Sequence, residues 1–236
     1  MPRVCVSNDK ARTRTIEVIR YCALYLLGFV FVEHRQVRPY ILHTRIDDLI
    51  PFCEYFIIPY LLWFGYVFLC LVWFGLFQSS EREYHSFTRS LAFGCTIFLV
   101  ISFVFPNGQD LRPVLADENI FQHLVMTLYR SDTATNVFPS IHVFNSVACC
   151  TAVLRNHQLR ANRLISGSTL ILTVSIILAT LFLKQHTVLD VAGAFLLNLI
   201  SDRLFYQRVG SQVPGTVWNR RLGVAGGYSD ERWRMR

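Results

Sequence analysis

The chain has 236 residues, of which 53% are apolar and 17% charged, with a net charge of +7. A soluble domain is about a quarter charged and the mean hydropathy here is +0.36, which excludes a pair of soluble domains in favour of one polytopic membrane bundle. The positive balance calls for no nucleic acid, because it follows from basic loops and a basic tail.

A membrane-crossing helix takes about 20 mostly apolar residues, and six stretches approach that length. The first, 15–32, carries Glu17 and Arg20 at its head and lacks the small-residue cleavage site of a secretory leader. The polar segment 33–54, with two prolines, reads as a non-cytoplasmic loop near the interface. The second span, 55–77, is apolar throughout, and the third, 90–105, is short. Residues 106–136 form the longest loop. Within it Ile120, Phe121, Leu124, Val125, Leu128 and Tyr129 make one apolar stripe at helical spacing, predicting a short helix flat on the membrane surface. The fourth span, 137–154, is the most polar; the fifth and sixth are 164–183 and 187–205. The predicted fold class is therefore all-α: a polytopic membrane helical bundle with six transmembrane helices over 1–205, and a basic cytoplasmic tail over 206–236. That tail reads either as loosely ordered near anionic headgroups or as a plain solvated segment.

Basic loops stay cytoplasmic. Six spans put 1–14, 78–89, 155–163 and the tail on one side, with four, two, three and six Lys and Arg. The opposite side has three, two and one in 33–54, 106–136 and 184–186. Both termini are thus expected in the cytoplasm, most simply at the cell membrane. Seven cysteines show no C-x-x-C pair. They read as small hydrophobes within helices, with neither a disulfide framework nor a zinc site.

Counting spans brings three unusual stretches to one aqueous face: PNGQDLRP (106–113), NVFPSIH (136–142) and KQHTVLD (184–190). Pro139 suits the first turn of a helix, which places Ser140 and His142 at an anion-favouring N-terminus. Ser140 as a simple cap is the plainer reading. His186 and Asp190 stand four apart, on one helical face. Asp190 can then hold Nδ1–H of His186 and turn Nε2 outward as a base or nucleophile. A structural His–Asp pair is the alternative, and zinc a third, for which no tight ligand pair speaks. Arg112 suits bidentate phosphate contact and Lys184 a point charge; interfacial snorkelling is the plainer reading of both, and it fits Lys184 better than Arg112. Together these residues suit phosphoester chemistry on a lipid headgroup.

Arg112–Pro113, the PSIH of 139–142, and His186 with Asp190 resemble, in order and spacing, the three motifs K-x6-R-P, P-S-G-H and S-R-x5-H-x3-D. On these residues the chain resembles the type 2 phosphatidic acid phosphatase superfamily, which also contains vanadium haloperoxidases. It departs at Phe105 in place of the motif lysine, Ile141 in place of glycine, and Ala179–Thr180 in place of Ser-Arg. FPSIH and QHTVLDVAG are also similar to the branch with inositol phosphorylceramide synthases. The resemblance implies a metal- and cofactor-independent lipid phosphatase. In it His186 would be the nucleophile, Asp190 its stabiliser and His142 the general acid, with Arg112, Ser140 and Lys184 binding phosphate. Its partners would be a lipid phosphate substrate and the surrounding membrane lipids. Two further readings stand beside it: a transferase of phospho-headgroups, and a lipid-binding or transport protein with a decayed site.

Overall fold

A computed structural model describes residues 7–78 and 80–206. Cys5 and the expected tail beyond Tyr206 lie outside the described residues. Among the described residues nine α-helices dominate, with a single two-residue pairing between strands. Helix α1 (Asn8–Glu33) leads through strand β1 (Tyr40–Ile41) to the short α2 (Arg45–Leu49). Helix α3 (Ile57–Val72) is extended by a 3-10 turn (Glu54–Phe56) before it and a π turn (Trp73–Phe77) after it. Helix α4 (Glu81–Val104) ends at β2 (Asn107–Gly108), which pairs in parallel with β1. Then come α5 (Ile120–Ser131), α6 (Ile141–Arg155), α7 (His157–Ala161), α8 (Arg163–Phe182) and α9 (Val188–Phe205).

Four of these are long and apolar enough to cross a membrane: α1, α3 with its extensions, α4 and α8. The other two expected spans differ for physical reasons. Helix α9 has 18 residues but carries Asp190, Asp202 and Arg203. Helix α6 has only 15, and eleven of them are buried. It stands at the centre of the bundle, packed by α3, α4, α8 and α9. A helix wrapped in protein needs no lipid-facing apolar surface, and this is why α6 reads as the most polar span.

Around it the core is aromatic and aliphatic: Phe74, Phe87, Phe98, Phe144 and Ile176 are all nearly or wholly buried. Small residues admit close approach, as in other membrane bundles. A Cβ on Gly94 of α4 would stand 1.9 Å from the Phe144 ring, and one on Gly193 of α9 would stand 2.5 Å from the Phe138 ring. Polar pairs link helices across the apolar interior. Ser90 meets Ser201 at 2.7 Å, joining α4 to α9, and Tyr66 meets Thr173 at 3.2 Å, joining α3 to α8. Tyr21 of α1 donates to the Ala92 carbonyl of α4 at 2.6 Å.

The 120–129 stripe forms α5 as expected, capped by Asn119, whose side chain accepts from Phe121 and Gln122 N–H. It does not face a lipid surface alone. Val125 and Leu128 bury against Ile57, Tyr60, Ala179 and Leu183, docking α5 on the end of α3 and α8. The six described cysteines are free.

Candidate active site

The site is built where α6 and α9 begin. Ser140 is the N-cap of α6; its Oγ accepts from Val143 N–H, and its own N–H donates to the Asp190 carbonyl at 3.1 Å. The helix opens two residues later than a first-turn Pro139 would have it. Pro139 sits ahead of the cap, after a cis Phe138–Pro139 bond. Asn107 fixes this approach: its Oδ1 accepts Phe138 N–H at 2.8 Å and its carbonyl accepts Asn136 N–H at 2.6 Å. His142 therefore falls in the first turn of α6.

Helix α9 starts at Val188 with Thr187 as N-cap in a capping box. Thr187 Oγ1 accepts from Asp190 N–H, and Asp190 Oδ2 accepts from Thr187 N–H at 2.7 Å. His186 lies just ahead of the cap. The expected Asp190 hydrogen bond to His186 is thus redirected to the backbone. His186 Nδ1 stands 3.4 Å from Asp190 Oδ2, at ion-pair distance without hydrogen-bond geometry.

The two imidazoles meet directly: His142 Nδ1 lies 3.3 Å from His186 Nε2. Both are buried, at 8% and 6% exposure, and Asp190 is fully buried. His142 is also held by aromatic faces, with ring centroids 4.7 Å from Tyr60 and 4.4 Å from Trp63. Tyr60 Oη donates to Asp132 Oδ2 at 2.6 Å, so the ring packing on His142 is fixed from α5's end.

The two cations are brought to the same end of the bundle, but most of their hydrogen bonds go to backbone oxygens. Lys184, with φ of 53° in the turn between α8 and α9, donates from Nζ to the Asp47 carbonyl at 2.7 Å. Its own carbonyl accepts from Gln109 Nε2 at 2.8 Å. Arg112 donates to the carbonyls of Tyr129, Asp132 and Thr133 and to Gln185 Oε1, with its guanidinium 4.4 Å above the Tyr129 ring. Burial pulls the Arg112 pKa below its ordinary value. Among the described residues, no group of three His, Cys, Asp or Glu side chains is placed to hold a metal ion.

Several residues at this end escape a reading of the sequence. Asp47, nearly inaccessible at 1% exposure, accepts Val188 N–H through Oδ1 at 2.7 Å and Thr44 N–H through Oδ2 at 2.8 Å. It thereby ties the 34–53 loop to both sides of His186. Its one sequence signal is the capping-box spacing Thr44-x-x-Asp47. Gln185 was in plain view inside KQHTVLD but carries no charge to draw notice. Tyr60 and Trp63 look like any aromatic residues of a span.

No curated protein and no solved structure matches the chain. The family model of the PAP2 superfamily matches residues 104–213. That stretch holds Arg112, Ser140, His142, Lys184, His186 and Asp190, and over it the chain is similar to the PAP2 superfamily.

Proposed function

We propose that the protein is an integral-membrane phosphatase that hydrolyses a phosphomonoester or diphosphate of a lipid through a phosphohistidine. One observation carries this reading: the 3.3 Å approach of His142 Nδ1 to His186 Nε2 in a buried site backed by Asp190. Neutral His186 attacks phosphorus through Nε2 as the bond to the leaving oxygen breaks. Asp190 stabilises the positive charge that develops on the ring. Protonated His142 gives its proton to the leaving oxygen, then takes one from the water that cleaves the N–P bond and frees phosphate. The rings are in contact, so a bound phosphorus centre must part them. Arg112, Ser140, Lys184 and the first amides of α6 would surround the phosphate oxygens.

In this reading α6 and α9 complete six crossings. Both termini are cytoplasmic, and the histidines face the opposite side. The substrate is a lipid because the site caps a bundle of apolar helices. A second reading, transfer of a phospho-headgroup to a lipid alcohol, is favoured by the burial of both imidazoles, which limits access of water.

Phosphate release from phosphatidate, phosphatidylglycerophosphate and a polyprenyl diphosphate in detergent tests the reading. Turnover should fall by about 10²–10⁴-fold in His142→Ala, persist in EDTA, and be inhibited by vanadate. Parental turnover by both His142→Ala and His186→Ala would end it. A product that appears only when a lipid alcohol is added would select the transfer reading.

A further inference from the structure

We propose that Gln185 is a substrate-binding residue whose side-chain amide donates to a non-bridging oxygen of the lipid phosphate. The assignment rests on the phosphohistidine reading above and adds a donor to that site.

Gln185 is the residue before His186 and is buried, at 2% exposure. Its Oε1 accepts from Arg112 Nη2. A guanidinium carries donors only, so the amide oxygen must be the atom that faces Arg112 and the amide nitrogen must face away. The orientation, usually ambiguous for an amide, is here fixed by its neighbour. The backbone is fixed as well: the N–H groups of Gln185 and His186 both donate to the Thr180 carbonyl, at 3.0 and 3.1 Å. With oxygen and backbone both anchored, the amide cannot turn to find another acceptor.

Gln185 Nε2 is nevertheless buried without a hydrogen-bond partner among the described residues. So is Arg112 Nε, on the side chain that Gln185 touches. A buried unpaired donor is costly, and two on one coupled pair call for an explanation beyond packing. Both are donors. Gln185 adjoins His186 in the chain and Arg112 is bonded to Gln185, so both donors sit near the proposed nucleophile, where transferring phosphoryl oxygens would carry negative charge. The group that satisfies two such donors is an oxyanion. Lys184 Nζ already gives one of its hydrogen bonds to the Asp47 carbonyl. A neutral amide and the secondary nitrogen of a guanidinium therefore provide donors where the terminal cationic groups are already engaged.

Inorganic vanadate, a tetrahedral oxyanion, is the probe. Gln185→Met keeps the length of the side chain without a donor. Gln185→Glu keeps its shape and its contact with Arg112 but replaces the donor with a second acceptor. Each full-length variant, purified in detergent, is compared with the parent for thermal stability, inhibition by vanadate and the kinetics of phosphate release. We expect folded variants whose half-inhibitory vanadate concentration rises about ten- to hundred-fold, with kcat/KM falling in parallel. Folded variants inhibited at the parental concentration would overturn the assignment and leave the phosphatase reading intact. A parent that neither turns over a lipid phosphate nor binds vanadate would overturn that reading and this assignment together. If both variants lose the fold, the side-chain amide nitrogen signal of Gln185 in the parent decides. Vanadate should shift it, and an unmoved signal in a vanadate-inhibited parent would refute the role.

Discussion

Between Lys184 and Val188 several polar groups are held by distant parts of the chain. Asp47 takes Lys184 Nζ and Val188 N–H, Gln109 takes the Lys184 carbonyl, and Arg112 takes Gln185 Oε1. A left-handed lysine is uncommon, and this many anchors explain how one is kept at φ 53°. Asp47 matters most, since it grips both flanks of His186. Asp47→Ala leaves Val188 and Thr44 N–H without their acceptor. It should lower stability by about 1–3 kcal/mol and cut kcat for phosphate release more than it changes KM, because it misplaces a nucleophile without removing a substrate contact. Thermal unfolding and steady-state kinetics on the same preparation check this. An unchanged kcat would deny Asp47 any influence on His186.

At the scale of elements, α6 sets the geometry because it packs against α3, α4, α8 and α9. Its position depends on Gly94, against which the Phe144 ring lies with no room for a methyl group. Gly94→Ala should cost about 1–3 kcal/mol by overpacking and displace Phe144, two residues from His142. Loss of activity together with a lower unfolding temperature is expected; a variant as stable and active as the parent would show that α6 can move freely. The 34–53 loop behaves as a strap over the same end. His43, exposed, bonds Asp48 through Nε2 at 2.7 Å and Asp110 through Nδ1 at 2.8 Å, and these carboxylates raise its pKa. A raised folded pKa adds stability that is full below the ordinary imidazole value of about 6.5 and is lost as pH rises through the shifted one. The parent should therefore lose stability as pH increases across that window, and His43→Ala should lose that slope. Equal slopes in parent and variant would sever His43 from the strap. None of this was legible in the sequence. His43, Asp48 and Asp110 are scattered polar residues until β1 and β2 pair and bring the two loops together. Asp47 likewise became a site residue only through contacts more than a hundred positions away.

For the molecule as a whole, apolar length and spacing made the helical bundle legible. They also placed PNGQDLRP, NVFPSIH and KQHTVLD at one end, where the two histidines do meet. What hydropathy could not supply was the central place of α6, since a helix buried in protein resembles a short polar span. It also could not foresee that the capping box would claim Asp190, or that the carbonyls around Arg112 and Lys184 would take their donors. Side-chain charge suggested two free phosphate-binding cations, whereas folding spent much of their hydrogen bonding on the backbone.

In the proposed reaction His186 carries the phosphoryl group between substrate and water. Rapid quenching of the protein during turnover of a phosphorus-labelled lipid phosphate, followed by peptide mass analysis, tests it most directly. An acid-labile, base-stable phosphoryl group is expected on the peptide that contains His186, and none in His186→Ala. Label on another residue, or parental turnover by His186→Ala, would contradict it.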